Sequence, residues 1–191
     1  RTVLDAWYAG VSASSANRLV TRNAISITQP LPYAYKGRIR QVSGVDIVAA
    51  GSWFGGVYLD EKNFFANFAM EAEDFFKLYP ELLVDAEAQK AFLADRKGAI
   101  IGRKLADRFH WRVGDTVTLR GTIYPGQWPL TIRAIYKGAR PDTDETVLYL
   151  HWSYLDETMK KRAPDRGGQA GFFMIGIRDA TRAAEISKDI D

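Results

Sequence analysis

The stretch that most constrains this chain runs from Arg96 to Lys137 and reads RKGAIIGRKLADRFHWRVGDTVTLRG, then TIYPGQWPLTIRAIYK. Ala99-Ile100-Ile101 is an uninterrupted apolar run, which predicts a short buried strand turning at Gly102 into a helix. Ile101, Leu105 and Phe109 recur at i, i+4 and i+8, one stripe of a helix face that ends near His110. Val113-Gly114-Asp115 is a turn signal. In the strand expected after it, Val117 and Leu119 alternate with Thr116, Thr118 and Arg120. A second strand is expected over Leu130–Lys137, once Pro125, Gly126 and Pro129 have broken the chain. The apolar positions of this strand–helix–hairpin module are accounted for by packing, and it holds no nucleophile, base or ligand cluster.

The phrases of this module resemble the periplasmic core domain of MacB/FtsX-type ABC transporter permeases. The matching residues are Ile100, Gly102, Leu105, Ala106, Phe109, Trp111, Val113-Gly114-Asp115, Ile132, Ile135 and Tyr136. Arg18-Leu19-Val20, Pro30-Leu31-Pro32, Trp53-Phe54-Gly55-Gly56 and Tyr154-Leu155-Asp156 extend the likeness over nearly the whole chain. These are structural phrases, not catalytic signatures. The resemblance implies a non-enzymatic domain on the periplasmic side of the bacterial inner membrane, one membrane helix before it and three after it. It implies as partners a cytoplasmic ABC ATPase, a second permease subunit, and a periplasmic adaptor or substrate. ATP hydrolysis would move the domain and so transmit work outside the membrane.

Composition agrees with a folded globular domain. Of 191 residues, 47% are hydrophobic and 13% aromatic, which argues against disorder. Twenty-six basic against 23 acidic residues leave a net charge of +3 without a dense basic stripe, so nucleic acid is not an expected partner. Cysteine is absent, which excludes disulfides, zinc–thiolate sites and thiol nucleophiles. The longest uncharged runs, such as Ile47–Leu59, fall short of the roughly 20 apolar residues that a spanning helix needs. The chain opens on Arg1 with no signal-peptide pattern, and we read it as a domain of a longer protein.

Along the chain, residues 1–16 carry Trp7 and Tyr8. If the resemblance holds, this is a membrane-proximal segment in which they pack or anchor. A strand is expected over Asn17–Thr28, then a helix opened by Pro32 and closed by Gly44, with Tyr35, Ile39 and Val42 inward. Val45–Ala50 is a strand. The glycine- and aromatic-rich run after it and Phe64–Met70 predict a hairpin. Glu71–Tyr79 reads as a helix, as does the stretch from Asp85, its N-cap, through Arg96, with Ala88, Phe92 and Leu93 inward. Strand 146–152, helix 154–162, a flexible glycine-rich loop 164–171, strand 172–177 and helix 180–190 complete the order. The fold class is therefore α+β with two lobes. One is a discontinuous β-α-β lobe, residues 17–84 and 145–191, which resembles the family's porter-like lobe. The other is a smaller inserted α/β lobe, residues 85–144.

Catalytic readings find little support. Gly98–Lys104 has three residues between its glycines where a phosphate loop needs four, and Arg103-Lys104-Leu105 offers no hydroxyl for magnesium. Asp142, Asp144 and Glu145 lack the glycine and distal glutamate of a calcium loop. Glu71, Glu73 and Asp74 suit a helix start. His110 and His151, the two histidines, read as capping and packing residues, and no G-x-S-x-G elbow occurs. We expect no catalytic residue, cofactor or metal. The one candidate site is the aromatic run of Trp53, Phe54 and Tyr58: its rings first read as a hairpin packing on its own lobe, and the functional reading is a partner-facing or lipid-facing patch, because neighbouring glycines permit close approach. The alternative function is a secreted ligand- or carbohydrate-binding module using the aromatics of 53–58 and 124–128. Such a module would show an exposed row of rings, whereas a moving lever would bury most of them.

Overall fold

The computed structural model describes residues 17–23 and 29–190. Trp7, Tyr8 and the far part of the strand expected over 17–28 lie outside them. The described residues form six helices and a mixed nine-stranded sheet, with a small two-stranded sheet beside it. The strands are β1 (Arg18–Arg22), β2 (Leu31–Pro32), β3 (Val45–Trp53), β4 (Asn67–Met70), β5 (Leu82–Leu83) and β6 (Gly98–Gly102). They continue with β7 (Thr116–Gly121), β8 (Gly126–Gly138), β9 (Leu148–His151), β10 (Gln169–Ala170) and β11 (Phe172–Ile177). The helices are α1 (Tyr35–Arg40), α2 (Phe75–Leu78), α3 (Ala86–Ala94), α4 (Arg103–Phe109), α5 (Trp152–Arg162) and α6 (Ala183–Ile190).

The large sheet runs β1-β11-β3-β4-β9-β6-β8-β5, with β7 also on β8. Only β4 with β9 and β6 with β8 pair in parallel; the other ladders are antiparallel. Both faces are covered, which is why the central strands read as continuous apolar runs. On β11, Phe173, Ile175 and Ile177 join the larger core with α1, α5, α6 and the β7–β8 hairpin, while Phe172 and Met174 join the second core beneath α2 and α3. Strand β6 splits likewise, Ala99 and Ile101 to one side and Ile100 to the other. A fully buried side chain of this size stabilises by about 1.5–3 kcal/mol. Each face of these strands therefore holds the sheet between two layers.

The expected module forms: β6 passes through Gly102 into α4, which ends at His110 in the left-handed region, φ 56°. Val117 and Leu119 are buried while Thr116, Thr118 and Arg120 are exposed. Asp85 caps α3 by accepting from Ala88 N at 2.9 Å.

Several local expectations are corrected. Strand β8 starts at Gly126, so Pro129 does not interrupt it. The proline pairs with Thr118 before β6 joins β8 at Thr131, where a missing N–H costs the ladder nothing. Pro32 opens no helix, because β2 pairs with β10; α1 starts at Tyr35 and is closed by Gln41, not Gly44. The same pairing, with a 3-10 turn at Pro164–Arg166, gives form to the loop expected to be flexible. Phe92 points inward from α3, but Leu93 is 44% exposed. Helix α2 is a single turn, and Glu71 precedes it: its carboxylate accepts from Tyr33 Oη, Lys36 Nζ and Ala50 N.

Candidate functional site

The expected aromatic patch lies on the connection from β3 to β4, which is cross-braced along its length. Asn67 is wholly buried; its amide donates to the carbonyls of Gly56 and Phe65, and its Oδ1 accepts from Gly56 N at 2.7 Å. Val57 exchanges backbone hydrogen bonds with Arg120, and Thr122 Oγ1 donates to Gly55 O at 2.9 Å. Asp60 caps a 3-10 turn by accepting from Lys62 N, and Arg108 on α4 donates to the carbonyls of Phe64 and Lys62. The hairpin turn 121–126 is thereby fastened to the end of β3.

The three predicted residues take different places. Phe54 is fully buried, stacked on Tyr124 at 5.8 Å and edge-on to Trp128 at 5.2 Å, so it does not face outward. Tyr58 is half-buried, edge-on to Trp111 and Phe109 at 4.9 and 5.2 Å. Trp53 is half-buried between Phe68 at 5.1 Å and Phe64 at 6.4 Å. Glycines in this run admit the protein's own rings. The apolar side chains that do reach solvent are neighbours that sequence reasoning passed over: Leu59 at 78% exposure, Phe64 at 54% and Ile123 at 45%. Leu59 also sits in the left-handed region, φ 58°, which is uncommon for a residue other than glycine. No periodicity marks such a residue; only the turn geometry exposes it.

The residues weighed for chemistry have structural employment. The first turn of α4, where a phosphate would sit, receives the Glu145 carbonyl, to which Leu105 N donates at 3.2 Å. Asp142 pairs with Arg140, and Asp144 accepts from Thr146 N and Oγ1. Glu145 accepts from Gly138 N at 2.9 Å and pairs with Arg103 at 3.1 Å; that amide first, and then the guanidinium, hold its carboxyl below the usual range. Among the described residues no group of three His, Cys, Asp or Glu side chains could hold a metal ion.

His151 is buried at the junction of β9 and α5, its ring 4.2 Å from that of Phe92 and its Nε2 2.8 Å from the Phe92 carbonyl. The Nε2–H tautomer donates there. Burial lowers its pKa below 6.5, partly countered by that carbonyl and by Asp95, while Arg96 lowers it further. Around it, Asp95 pairs with Arg133 and Arg96 with Glu157. Because the folded pKa is depressed, the stability due to neutral His151 is full above about pH 6.5 and is lost as pH falls through the lower folded value. Urea titrations of the wild type and of His151→Gln should therefore diverge between about pH 7.5 and pH 5, the wild type losing more stability than the variant. Equal losses would show that this ring does not titrate with folding.

With this geometry in place, comparison with known proteins assigns the chain a kinship. Among curated proteins, none matches. Among solved structures, the chain is similar to the extracellular domain of the noncanonical ABC-type transporter YknZ from Gram-positive bacteria. That likeness has a TM-score of 0.58 and 14% identity, covering 91% of this chain and 88% of the other. It is similar also to the periplasmic region of MacB from Actinobacillus actinomycetemcomitans, with a TM-score of 0.60 and 12% identity, covering 91% and 80%. Identities this low carry the fold alone. Among the described residues no helix is long and apolar enough to cross a membrane. Over residues 4–191 the sequence matches the MacB-like periplasmic core domain, and the chain belongs to that family.

Proposed function

We propose that this chain is the non-catalytic, periplasmic-side domain of an ABC transporter permease subunit of the bacterial inner membrane. It carries ATP-driven movement from the membrane to a periplasmic substrate or adaptor. The observation that carries the reading, beyond family membership, is how the described fold opens and closes. Asn17 O accepts from Ile177 N at 2.9 Å, and α6 packs beside β1, so the first described strand and the last helix lie together at one edge of the sheet. Such an arrangement suits a domain held by flanking membrane helices. One continuous sheet takes strands from both proposed lobes, which meet where β6 pairs with β9 and where β5 pairs with β8. The two lobes so divided would then tilt as one stiff lever. Burial of Phe54 and Trp128 counts against the carbohydrate-binding alternative, which needs those rings outside.

The partners in this reading are a cytoplasmic ATPase and a second permease subunit. The test uses the full-length permease reconstituted with its ATPase, with Leu59→Cys in each subunit of a domain that has no cysteine of its own. Crosslinking between subunits is expected to change with ATP. Crosslinking indifferent to nucleotide, with probes spread over both lobes, would overturn the lever.

A further inference from the structure

At the end of the sheet opposite the meeting of Asn17 and Ile177, two arginines flank the β7–β8 turn. Arg162, the last residue of α5, lays its guanidinium 5.4 Å over the Trp128 ring and donates from Nη1 to Pro125 O at 3.3 Å. Arg166, in the following 3-10 turn, lies 5.3 Å over Tyr124 and donates from Nη2 to Ile123 O at 2.9 Å. The floor beneath them is rigid: Trp128 Nε1 donates to Tyr124 O at 2.9 Å, and Phe54 packs against both rings. Gly126, at φ 121°, leaves room for the Arg162 guanidinium; a Cβ there would come within 2.5 Å of Nη1. Neither arginine pairs with a carboxylate among the described residues, whereas Arg18, Arg96, Arg103, Arg133 and Arg182 all do.

We infer that Arg162 and Arg166 form a clamp for the carboxylates of an acidic protein segment, with exposed Ile123 on the same turn offering an apolar contact. A guanidinium held over an aromatic face and donating one N–H to a carbonyl still has N–H groups left to bind a carboxylate. Both side chains are already held, so little freedom is lost when a ligand arrives. Arginines beside a half-buried tyrosine and an exposed isoleucine, over a buried tryptophan, have the composition of a protein-binding hot spot, not of a phosphate pocket. Its place on the turn fastened to Gly55, away from the meeting of Asn17 and Ile177, points it at a protein partner instead of lipid headgroups. This last step rests on the proposed function; the carboxylate chemistry does not.

The test is fluorescence anisotropy of the 191-residue chain with a labelled peptide carrying two glutamates around a leucine, and with its glutamine counterpart. The glutamate peptide should bind at least about tenfold more tightly. That preference should vanish in Arg162→Gln/Arg166→Gln and be reduced in the lysine double variant, which keeps charge but not the planar fork. Phosphatidylglycerol vesicles should not bind in an arginine-dependent way. Equal affinity for the two peptides would overturn the clamp even if the variants failed to fold, and so would arginine-dependent vesicle binding. Intact peptide preference together with nucleotide-indifferent crosslinking would keep the clamp and remove the lever.

Discussion

Replacing Arg18 by alanine is expected to destabilise the domain by about 3–5 kcal/mol, among the largest effects of any single substitution here. Arg18 is buried on β1, donating to Leu78 O at 2.6 Å and pairing with Glu81 at 2.7 Å, with its guanidinium 4.6 Å from the Tyr79 ring centroid. Removing the guanidinium takes from the largely buried Glu81 carboxylate its contact with Arg18, and strips the Leu78 carbonyl of a donor at the end of α2. An unpaired buried charge costs more than the pair contributes, so the asymmetry can be measured. Arg18→Met/Glu81→Leu should lose clearly less than the sum of its two single variants in urea midpoint at unchanged slope. Additive losses would mean that the two side chains act independently.

Gly102→Ala should cost about 3 kcal/mol or more, beyond the usual penalty of overpacking, because the obstacle is backbone. Its conformation, φ −70° and ψ 151°, is open to any residue, so backbone freedom is not the reason for glycine. The reason is proximity: an added Cβ would fall on the carbonyl of Glu145. That carbonyl receives Leu105 N, and Gly102 N donates to Val147 O at 3.0 Å, so one displacement disturbs β6, α4 and the approach to β9 together. Thermal unfolding followed by circular dichroism would measure the loss. A midpoint within a degree or two of wild type would show that the 144–147 segment can move aside freely.

These two sites also mark where sequence reading succeeds and where it stops. The strand at Ala99–Ile101, the turn into α4 at Gly102 and the alternation around Val117 were legible because each is a local period or a turn signal. So was Asp85, whose capping partner is three residues away. Arg18 read as one charge in a strand, since Glu81 is distant in sequence and only the fold brings them together. Asn67 braces Gly56 and Phe65 through contacts that no residue spacing announces. For Phe54 the flanking glycines leave packing and partner contact both open; the rings that cover it, Tyr124 and Trp128, come from a hairpin whose docking the pattern does not encode.

The position of β11 has a consequence for how the domain is made. It is the last strand, yet it lies between β1 and β3, pairing with both. A chain delivered from its N-terminus cannot complete this half of the sheet until Phe172–Ile177 has emerged, so β1 waits through most of the domain's synthesis for its ladder partner among the described residues. Such long-range closure places the domain among slow-folding topologies and leaves unpaired strand edges open meanwhile. A chain stopped just short of Phe172 would keep most of its residues and still lack the strand that joins its beginning to the rest.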